Sequence, residues 1–320
     1  MESMEGLKGK RILVTGGTGF VGSHVVELLL KKGASVIVPF RSLNPYSYFS
    51  LQKLDRKVLL VVSDLKDRLR VFDILSKYEI NYVIHLAAQA IVPTAFINPA
   101  ETLVNNIVGT VNILEGVRAC KNITGVIIAS SDKAYGKSEK ICVETHRVGG
   151  DHPYEVSKSA SDLIAQAYLK TYGMPIVITR FGNIYGPGDI NYNRIIPGIL
   201  TSFIEKKPLE IRSDGTYVRD YIYVKDVALA YVFLLKKIGS IKGQVYNIST
   251  DTTCSVLQLM KKTEKALRKK TSYRIMNTAI NEIPYQHLDN SKITALGWRP
   301  SYTFKRGVRE TYSWYKKNSL

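Results

Sequence analysis

A tyrosine and a lysine four residues apart, Tyr154 and Lys158, form the pair in this sequence best suited to move a proton. They follow Asp151, which we expect to cap a helix, and Pro153, which suits the first helical turn. Residues four apart project from one face of a helix. A neighbouring ammonium stabilises a phenolate and lowers the tyrosine pKa from its usual value of about 10. The pair therefore predicts a base that works near neutral pH, although the spacing alone also occurs by chance.

A glycine-rich loop lies far upstream of this pair. The predicted strand 11–14 runs into TGGTGFVG at 15–22, and an apolar helix follows. Glycines in this position permit a tight turn and let backbone N–H groups at the helix N-terminus approach a pyrophosphate. A structural turn is the alternative, but the context favours a nicotinamide dinucleotide bound by the loop residues Gly16, Gly19, Phe20, Val21 and Gly22.

The end of the second predicted strand bears on which dinucleotide is bound. An Asp or Glu there would hold the adenosine ribose and favour NAD. The sequence instead reads Pro39-Phe40-Arg41-Ser42. Arg41 and Ser42 could bind a ribose 2′-phosphate by charge and by hydrogen bond. We therefore expect NADP or NAD as cofactor, with NADP slightly favoured; a solvated loop residue is the alternative for Arg41.

Further motifs give the sequence a family resemblance over nearly its whole length. It resembles the extended short-chain dehydrogenase/reductases, the family of NAD(P)-dependent nucleotide-sugar epimerases and dehydratases. Besides the loop and the Tyr-Lys pair, the matching motifs are HLAAQA at 85–90, NNIVGT with Asn106, ASSDKAYG with Ser131, RFGNIYGPGD at 180–189 and RDYIYVKDVA at 219–228. The closing segments LDNSK and LGWRP also resemble the family signature.

Short β-branched runs alternate with segments of helical length in the first half of the chain. This alternation predicts a parallel sheet covered by helices. Together with the resemblance, it implies an α/β fold: a Rossmann-type doubly wound parallel sheet with a smaller α/β substrate-binding lobe. The expected NAD(P)-binding domain comprises residues 1–182 and roughly 218–250, and the expected nucleotide-sugar lobe comprises residues 183–217 and 251–320.

The resemblance implies a chemical role for the Tyr-Lys pair. NAD(P) would lie in the Rossmann domain and a nucleotide diphosphate sugar in the lobe. Tyr154 would take the proton of the sugar 4-hydroxyl while hydride leaves carbon 4. Ser131 would hydrogen-bond the same oxygen, and Lys158 would also hold the nicotinamide ribose. These steps would be common to the whole family.

The resemblance also implies binding residues. Asp64 after the third strand matches an adenine contact, with the start of a helix as the alternative. The other implied cofactor contacts are Leu65, Leu86, Ala87, Ala88, Gln89 and Asn106, together with Tyr154 and Lys158. The implied substrate contacts are Gln89, Asn183, Arg194 and Arg219; an ordinary surface position is the alternative for both arginines. The segment before Glu282 lacks an arginine that many relatives use for phosphate, which leaves the nucleotide base open.

The residues after Ser131 bear on the reaction. Epimerases of this family need no second acid–base pair, whereas a 4,6-dehydratase must remove the carbon 5 proton and protonate the departing 6-hydroxyl. We expect Asp132 as that acid and Lys133 as that base. Lysine acts as a base only if its pKa falls from about 10.4, which burial and the charge of Lys158 would cause. A capping aspartate and a solvent-exposed lysine are the alternative.

The Asp-Lys dipeptide resembles that of the CDP-glucose 4,6-dehydratases, as do GGDHPYEVSK at 149–158 and NRIIPGIL at 193–200. We therefore expect an NAD(P)-dependent nucleotide-sugar 4,6-dehydratase of the CDP-glucose type. A UDP-sugar 4-epimerase of the same family is the first alternative. A non-catalytic Rossmann sensor or nucleic-acid-binding protein is the second, and the joint presence of Ser131, Tyr154 and Lys158 argues against it.

Composition and charge exclude several other classes. The 320 residues are 45% hydrophobic and 22% charged, which excludes a disordered chain, a collagen-like repeat and a disulfide scaffold. Lys and Arg number 45 against 27 Asp and Glu, a net charge of +18 that favours anionic partners. The basic segment 261–270 has apolar residues nearby, so we expect a solvated helix face rather than a nucleic-acid-binding stripe.

The remaining expectations concern location and assembly. The sequence has no apolar run long enough for a membrane span and no signal-peptide core at its start, so we expect a cytoplasmic protein with neither membrane nor nucleic acid as a partner. Its three cysteines lack the spacing of a zinc site, and we expect no metal. By family resemblance, segments 100–119 and 154–172 would pair in a homodimer.

Overall fold

The computed structural model of the protein describes residues 4–279 and 282–318. Its strands are β1 Arg11–Thr15, β2 Ser35–Phe40, β3 Leu59–Val62, β4 Tyr82–His85, β5 Gly125–Ala129, β6 Ile176–Phe181, β7 Asn183–Tyr185, β8 Leu209–Ile211, β9 Val218–Tyr223, β10 Val245–Ile248, β11 Thr253–Ser255 and β12 Tyr273–Ile275. Its helices are α1 Phe20–Lys31, α2 Tyr48–Leu51, α3 Arg68–Lys77, α4 Val92–Ile97, α5 Pro99–Ala119, α6 Pro153–Tyr172, α7 Ile195–Glu205, α8 Val224–Ile241, α9 Val256–Leu267, α10 Ser291–Ala295 and α11 Phe304–Asn318. Short 3₁₀ turns cover Met4–Leu7, Leu54–Arg56 and Asp132–Tyr135.

The first of two compact units contains Met1–Gly136, Glu144–Arg180 and Ala228–Asn247. Its sheet has the strand order β10-β6-β5-β4-β1-β2-β3, and β1 to β6 pair in parallel. Strands β5 and β6 are buried along nearly their whole length, as expected for a parallel sheet covered by helices. The predicted α/β fold with a doubly wound parallel sheet is confirmed.

The core of this unit lies between the sheet and helices α3, α5 and α6. Alternate side chains of the inner strands point into this core, and most of those between them are buried on the other face of the sheet, which gives the continuous apolar runs visible in the sequence. The buried residues that meet there include Leu13, Ile37, Val61, Val83, Val126 and Ile178 from the strands, and Val71, Ile74, Ile113, Leu114, Val117 and Ala165 from the helices.

The strand order reverses between β1 and β4, where doubly wound sheets bind ligands at the carboxyl ends of their strands. The glycine loop begins there, and Gly16 has a φ of +68°. A Cβ atom at Gly16 would lie 2.8 Å from the Ala87 nitrogen, just after β4. A Cβ atom at Gly22 in α1 would collide with the Gly16 carbonyl oxygen. The two glycines therefore allow the loop, α1 and the end of β4 to approach closely.

The second unit contains Lys137–Val143, Phe181–Val227 and Ile248–Leu320. Strand β9 pairs in parallel with β7 and antiparallel with β11, and β12 pairs in parallel with β8. Helix α9 carries part of the basic segment and buries Leu259, Met260 and Ala266, whereas Lys261 and Lys262 are exposed. The basic segment thus includes the outer face of an amphipathic helix, as predicted.

The boundary between the units differs from the one expected. We expected residues 1–182 and roughly 218–250 in the NAD(P)-binding domain, but residues 181–182, 218–227 and 248–250 lie in the second unit. For residues 218–223 the reason is strand pairing, because β9 hydrogen-bonds to β7 and β11 instead of the large sheet. The segment Lys137–Val143 also belongs to the second unit, where Cys142 forms a bridge with Leu288.

Residues 4–279 and 282–318 contain neither a membrane-spanning helix nor a metal-binding cluster. No helix in these ranges is long and apolar enough to cross a membrane. No cluster of His, Cys, Asp and Glu side chains in them could hold a metal ion. The three cysteines, Cys120, Cys142 and Cys254, are free thiols. Ile280 and Asn281, in the segment said to lack a phosphate-binding arginine, lie outside the described residues.

Candidate active site

The helix with the Tyr-Lys pair, α6, begins at Pro153 but has a different cap from the one expected. His152 is the N-cap, and its Nδ1 accepts a hydrogen bond from the Tyr154 N–H at 3.2 Å. The Glu155 carboxylate accepts hydrogen bonds from the N–H groups of Asp151 and His152 at 3.1 and 3.4 Å. The prediction of Asp151 as the cap is wrong because His152 is the extended residue next to the helix, and its ring nitrogen is the acceptor.

Tyr154 and Lys158 are both buried in the first two turns of α6. The Lys158 Nζ donates a hydrogen bond to the carbonyl oxygen of Ala129, the last residue of β5, at 2.8 Å. Burial lowers the pKa of Lys158 to about 8, and the charge of Asp162 opposes this effect. Lys158 is therefore mainly an ammonium at pH 7, and its charge favours a phenolate on the same helix face.

Strand β5 leads into the Ser-Asp-Lys tripeptide, where a 3₁₀ turn begins. Ser131 Oγ donates to Asp132 Oδ1 at 2.9 Å and accepts from the Lys133 N–H at 3.2 Å. The Lys133 ammonium pairs with Asp132 Oδ2 at 3.1 Å. The Asp132 side chain is 5% exposed and that of Lys133 is 18% exposed. The alternative of a solvent-exposed lysine is therefore wrong, because both groups belong to one largely buried pair.

A hydrogen bond fastens this turn to α6. Ser159 Oγ, on α6, donates to the Ala134 carbonyl oxygen at 2.9 Å. Ala134 directly follows Lys133, so the bond fixes the turn beside the helix that carries Tyr154 and Lys158. The structure thus brings the five predicted catalytic residues onto two adjoining elements of the first unit.

The side chains of Asn106 and Gln89 form hydrogen bonds with residues of the surrounding elements. Asn106 accepts a hydrogen bond from the Gln89 N–H at 2.7 Å and donates to the Gln89 carbonyl oxygen at 3.0 Å and to Ser157 Oγ at 2.9 Å. The Gln89 side chain donates to Thr102 Oγ1 at 2.9 Å and accepts from the Ile91 N–H at 2.6 Å. Both side chains therefore position the segment after β4 against α5 and α6.

The loop residues and the nearby strand ends fit a dinucleotide. Gly19 caps α1 without a side-chain hydrogen bond, so the first-turn N–H groups of Phe20, Val21 and Gly22 suit an anion. The Ala87 N–H donates to Thr15 Oγ1 at 3.2 Å, which fixes the segment of Leu86, Ala87 and Ala88 beside the loop.

Ser130 provides a second indication that this site binds a further group. It follows β5, and its buried hydroxyl has no hydrogen-bond partner within the described residues. A buried polar group without a partner is unfavourable by about 1–3 kcal/mol. A ligand bound at this strand end could supply the missing partner.

The other predicted cofactor residues lie at the carboxyl ends of two neighbouring parallel strands. Arg41 and Ser42 follow β2, and both are exposed. Asp64 follows β3 and is partly exposed, while Leu65 packs against the core. The helix-start alternative for Asp64 is wrong, because Asp67 is the N-cap of α3.

Comparison with known proteins places this site in a family. Residues 13–311 match the family model described as GDP-mannose 4,6 dehydratase. The chain is 31% identical to the dTDP-D-glucose 4,6-dehydratase of Bos taurus, over 97% of this chain and 89% of that protein. The chain belongs to the extended short-chain dehydrogenase/reductase family of nucleotide-sugar epimerases and dehydratases.

Solved structures of this extended family include both reaction types. The UDP-glucose 4-epimerase of Thermotoga maritima, with UDP-glucose, superposes with a TM-score of 0.87 at 30% identity and covers 97% of this chain and 100% of that one. The dTDP-glucose 4,6-dehydratase of Streptomyces venezuelae, with NAD and TYD bound, has a TM-score of 0.87 at 28% identity and covers 96% and 97%. Similarity of fold therefore leaves the reaction to be argued from side chains.

A longer relative in the extended family combines several activities. The trifunctional UDP-glucose 4,6-dehydratase/3,5-epimerase/reductase RHM2 of Arabidopsis thaliana is 32% identical over 97% of this chain. The present chain spans 48% of its length. None of the relatives named here is a CDP-glucose enzyme, so the resemblance to that type rests on sequence motifs alone.

The predicted substrate residues of this family member lie in the second unit, with Gln89 as the exception. Asn183 in β7 and Arg219 in β9 lie on neighbouring strands. Arg219 Nη1 donates to the Val218 carbonyl oxygen at 2.8 Å. Arg194 precedes α7 and forms an ion pair with the buried Asp189 at 3.2 Å. Arg194 thus serves as a counter-charge for a buried carboxylate, a role that the sequence did not indicate.

Sequence reasoning also missed a buried network next to the Tyr-Lys pair. Arg180 donates to both carboxylate oxygens of Asp162, at 2.8 and 2.9 Å, and to the Tyr135 hydroxyl at 2.7 Å. The one available signal was that Asp162 follows Lys158 by four residues and so lies on its face of α6. The partner Arg180 lies on a different element, β6, which spacing along α6 cannot reveal.

His85, at the end of β4, is buried and hydrogen-bonded on both ring nitrogens. Its Nδ1 lies 2.7 Å from Thr15 Oγ1, and its Nε2 lies 3.1 Å from Thr110 Oγ1. Burial, with a smaller contribution from the positive charge of Lys158, lowers the pKa of His85 to about 3. His85 is therefore neutral at pH 5 to 8 and joins β1, β4 and α5.

We expect His85 to make the protein less stable in mild acid. The pKa is 6.5 in the unfolded chain and about 3 in the folded protein, so the unfolded state binds an extra proton between these values. Stability contributed by the neutral ring is complete above pH 6.5 and decreases as the pH falls towards 3. From pH 7 to pH 5, the loss is about 2 kcal/mol at 1.36 kcal/mol per pKa unit.

Urea unfolding at pH 7 and pH 5 measures this loss in the wild type and in His85→Gln. The variant should lack that part of the pH dependence, whereas His146→Gln at an exposed position should retain it. Equal pH dependence in the wild type and His85→Gln would contradict the prediction.

Proposed function

We propose that the protein is an NAD(P)-dependent nucleotide-sugar 4,6-dehydratase, with an active-site tripeptide most like that of the CDP-glucose type. The observation that carries the proposal is the buried Asp132–Lys133 pair, fastened beside the helix with Tyr154 and Lys158. Similarity to dTDP- and UDP-glucose 4,6-dehydratases supports this class of reaction. The choice of CDP rests on the Asp-Lys motif and its neighbouring segments.

In this proposal Tyr154 is the base that removes the proton of the sugar 4-hydroxyl. Lys158, hydrogen-bonded to the Ala129 carbonyl oxygen, stabilises the phenolate by its charge. Ser131, at the start of the adjoining turn, can donate a hydrogen bond to the 4-oxygen as it loses its proton. A nicotinamide dinucleotide, when bound, would accept the carbon 4 hydride and later deliver it to carbon 6. Carbon 5 then takes up a proton, which balances the one that Tyr154 removed from the 4-hydroxyl.

The Asp132–Lys133 pair accounts for the elimination of water. Their 3.1 Å contact allows a proton to pass from the ammonium to the carboxylate, which leaves a neutral amine and a carboxylic acid. The amine then takes the carbon 5 proton, which is acidic beside a carbon 4 ketone. The acid protonates the 6-hydroxyl, which departs as water. Lys133 ends as the ammonium and Asp132 as the carboxylate, so the pair is restored.

A 4-epimerase is the second candidate, because the Thermotoga maritima UDP-glucose 4-epimerase is as similar in fold as the dehydratase structure. Product mass separates the two reactions. Incubation with CDP-, UDP-, dTDP- and GDP-glucose, in the presence of NAD or NADP, should give a product lighter by one water, fastest from CDP-glucose. An unchanged mass with altered stereochemistry would identify an epimerase, and no turnover of any of the four would contradict the proposed function.

The role of Lys133 has a separate test in deuterium oxide. Lys133→Met replaces the lysine with an unbranched side chain of similar length that has no amine. Exchange at carbon 5 should therefore slow by at least about 100-fold, the typical contribution of a general base. Lys140→Met, at an exposed position seven residues further along the chain, is the matched control and should exchange normally. NMR of the sugar reports the deuterium, and undiminished exchange in Lys133→Met would exclude the role.

The exposed pair Arg41 and Ser42 supports NADP, although the Streptomyces venezuelae relative contains NAD. NADP should bind more tightly than NAD. Arg41→Ala should weaken NADP binding about 10-fold, equivalent to about 1.4 kcal/mol, and leave NAD binding unchanged. Arg56→Ala serves as the control. Arg56 precedes β3 and so lies at the amino ends of the parallel strands, whereas Arg41 lies at their carboxyl ends. Calorimetric titration measures both affinities, and tighter binding of NAD by the wild type would refute this preference.

We propose that the first unit binds the dinucleotide through the loop residues, Asp64 and the strand-end segment 86–88. In the second unit, Asn183 and Arg219 would bind the nucleotide diphosphate sugar, since an arginine fork suits phosphate oxygens. Arg194 would contribute charge while it remains paired with Asp189.

A homodimer is the expected assembly. Apolar side chains on α5 and α6 are exposed, at 46% for Val104, 37% for Val108, 38% for Val156 and 52% for Leu163. A second copy of the chain could bury them, so light scattering should give twice the chain mass of 35.9 kDa. Leu163→Glu should shift the mass towards the monomer, whereas Leu69→Glu on the exposed face of α3 should not. A monomeric wild type would contradict the assembly.

A further inference from the structure

Two ionisable side chains flank Lys158 along helix α6, the phenol of Tyr154 and the carboxyl group of Asp162. Tyr154 precedes it by four residues and Asp162 follows it by four, so all three lie on one face of α6. The Lys158 Nζ is buried and bonds to the Ala129 carbonyl oxygen. Burial disfavours its ammonium form, and the Asp162 charge favours it. The charge state of Lys158 thus depends on a residue outside the predicted catalytic set.

Asp162 forms a buried bidentate ion pair with Arg180. Its side chain is fully buried, and that of Arg180 is 1% exposed. Arg180 Nε and Nη2 donate to the two carboxylate oxygens at 2.8 and 2.9 Å, and Gln166 Nε2 donates to Oδ1 at 2.7 Å. Three donors thus surround the carboxylate oxygens of Asp162, and two of them belong to the Arg180 cation.

The same arginine reaches the turn with the proposed elimination residues. Arg180 Nη1 donates to the Tyr135 hydroxyl at 2.7 Å, and Tyr135 donates to Asn247 Oδ1 at 2.7 Å. Tyr135 is the last residue of the 3₁₀ turn that contains Asp132 and Lys133. Arg180 therefore ties that turn and α6 to β6, and the position of Asp162 is fixed from three elements.

We propose that Asp162 is a positioning residue for proton transfer: its carboxylate charge keeps Lys158 an ammonium, and Arg180 with Tyr135 holds that carboxylate in place. This role rests on the proposed function only in making Lys158 the partner of the reacting tyrosine. The elements around Lys158 also carry other titratable or charged groups, among them His85 on β4, Asp132, Lys133 and Tyr135 in the adjoining turn, Tyr154 and Glu155 on α6, and Arg180 on β6.

A structural role alone does not explain a charged pair in this position. Buried ion pairs lose much of their Coulomb attraction to desolvation, and well-packed apolar residues of the same volume are often equally or more stable. The effect of the Asp162 charge on Lys158 therefore offers an explanation for the pair. His85 is neutral at pH 5 to 8, and the Asp132 carboxylate is paired with Lys133, which leaves Asp162 to act on Lys158.

The test is a direct titration of Lys158 by NMR in protein labelled at the lysine Cε with carbon-13. The signal is assigned by its loss in Lys158→Arg, and its midpoint in the wild type should lie near 8. Asp162→Asn should lower the midpoint by roughly 0.5–1 pH unit, as expected for loss of a nearby opposite charge. Asp162→Glu should restore it. Tyr231→Phe, which removes another buried hydroxyl of the first unit, should leave it unchanged.

Asp162→Asn leaves the Arg180 guanidinium buried without its counter-charge, so a second variant is included. Asp162→Asn combined with Arg180→Gln has no unpaired buried charge. Its midpoint should also fall, because the Asp162 charge raises the pKa of Lys158 and this variant lacks that charge. An unchanged midpoint in whichever of these variants folds, judged by circular dichroism, would overturn the proposal.

The titration needs no substrate, which separates this proposal from the proposed function. If the wild type converts no sugar nucleotide, the proposed function fails while the Lys158 midpoint still decides the role of Asp162. If the wild type is active, the alkaline limb of its kcat–pH profile should move to lower pH in the double variant by the same amount as the NMR midpoint. An alkaline limb that stays in place while the midpoint moves would overturn the role of Asp162 in proton transfer.

Discussion

The site depends on one unfavourable placement, the burial of the Lys158 ammonium at the carboxyl end of β5. A cation removed from water needs other groups to replace its lost solvation. The Ala129 carbonyl oxygen supplies one hydrogen bond at 2.8 Å, and Asp162 supplies a charge one turn away. This partial compensation leaves Lys158 with a pKa of about 8, so its charge responds to small changes nearby. A fully exposed or directly ion-paired lysine would hold its proton too firmly to be adjusted in this way.

Neutral groups make most of the hydrogen bonds that fix the surrounding elements. Asn106 donates to Ser157 Oγ, which links α5 to α6, and His85 contacts Thr15, which links β4 to β1. Carboxylates in these positions would add negative charge around Lys158 and strengthen its hold on the proton. With amide, hydroxyl and neutral imidazole groups, the scaffold is rigid and the charge of Lys158 remains available to a phenolate.

The parts of the fold and site that follow from local patterns were predictable from the sequence. Alternation of strands and helices, the strand-glycine-helix loop and the four-residue spacing of Tyr154 and Lys158 each depend on neighbouring residues only. The contact of Arg180 with Tyr135 joins residues 45 positions apart and depends on how β6 packs beside the turn, which no local spacing encodes. The choice of His152 as helix cap depends on its backbone angles, so even a local cap can be missed when two adjacent residues are able to serve.

The reaction is set by side chains, because the scaffold is common to both reaction types. An epimerase and a dehydratase each superpose on this chain with a TM-score of 0.87. In the proposed function, oxidation and reduction at carbon 4 would use Tyr154, Lys158 and Ser131 with the cofactor. In an epimerase, which reacts only at carbon 4, the buried Asp132–Lys133 pair would be destabilising through desolvation and would have no chemical use. In the proposed function, elimination uses an acid and a base, and one proton transfer within the Asp132–Lys133 pair would provide both.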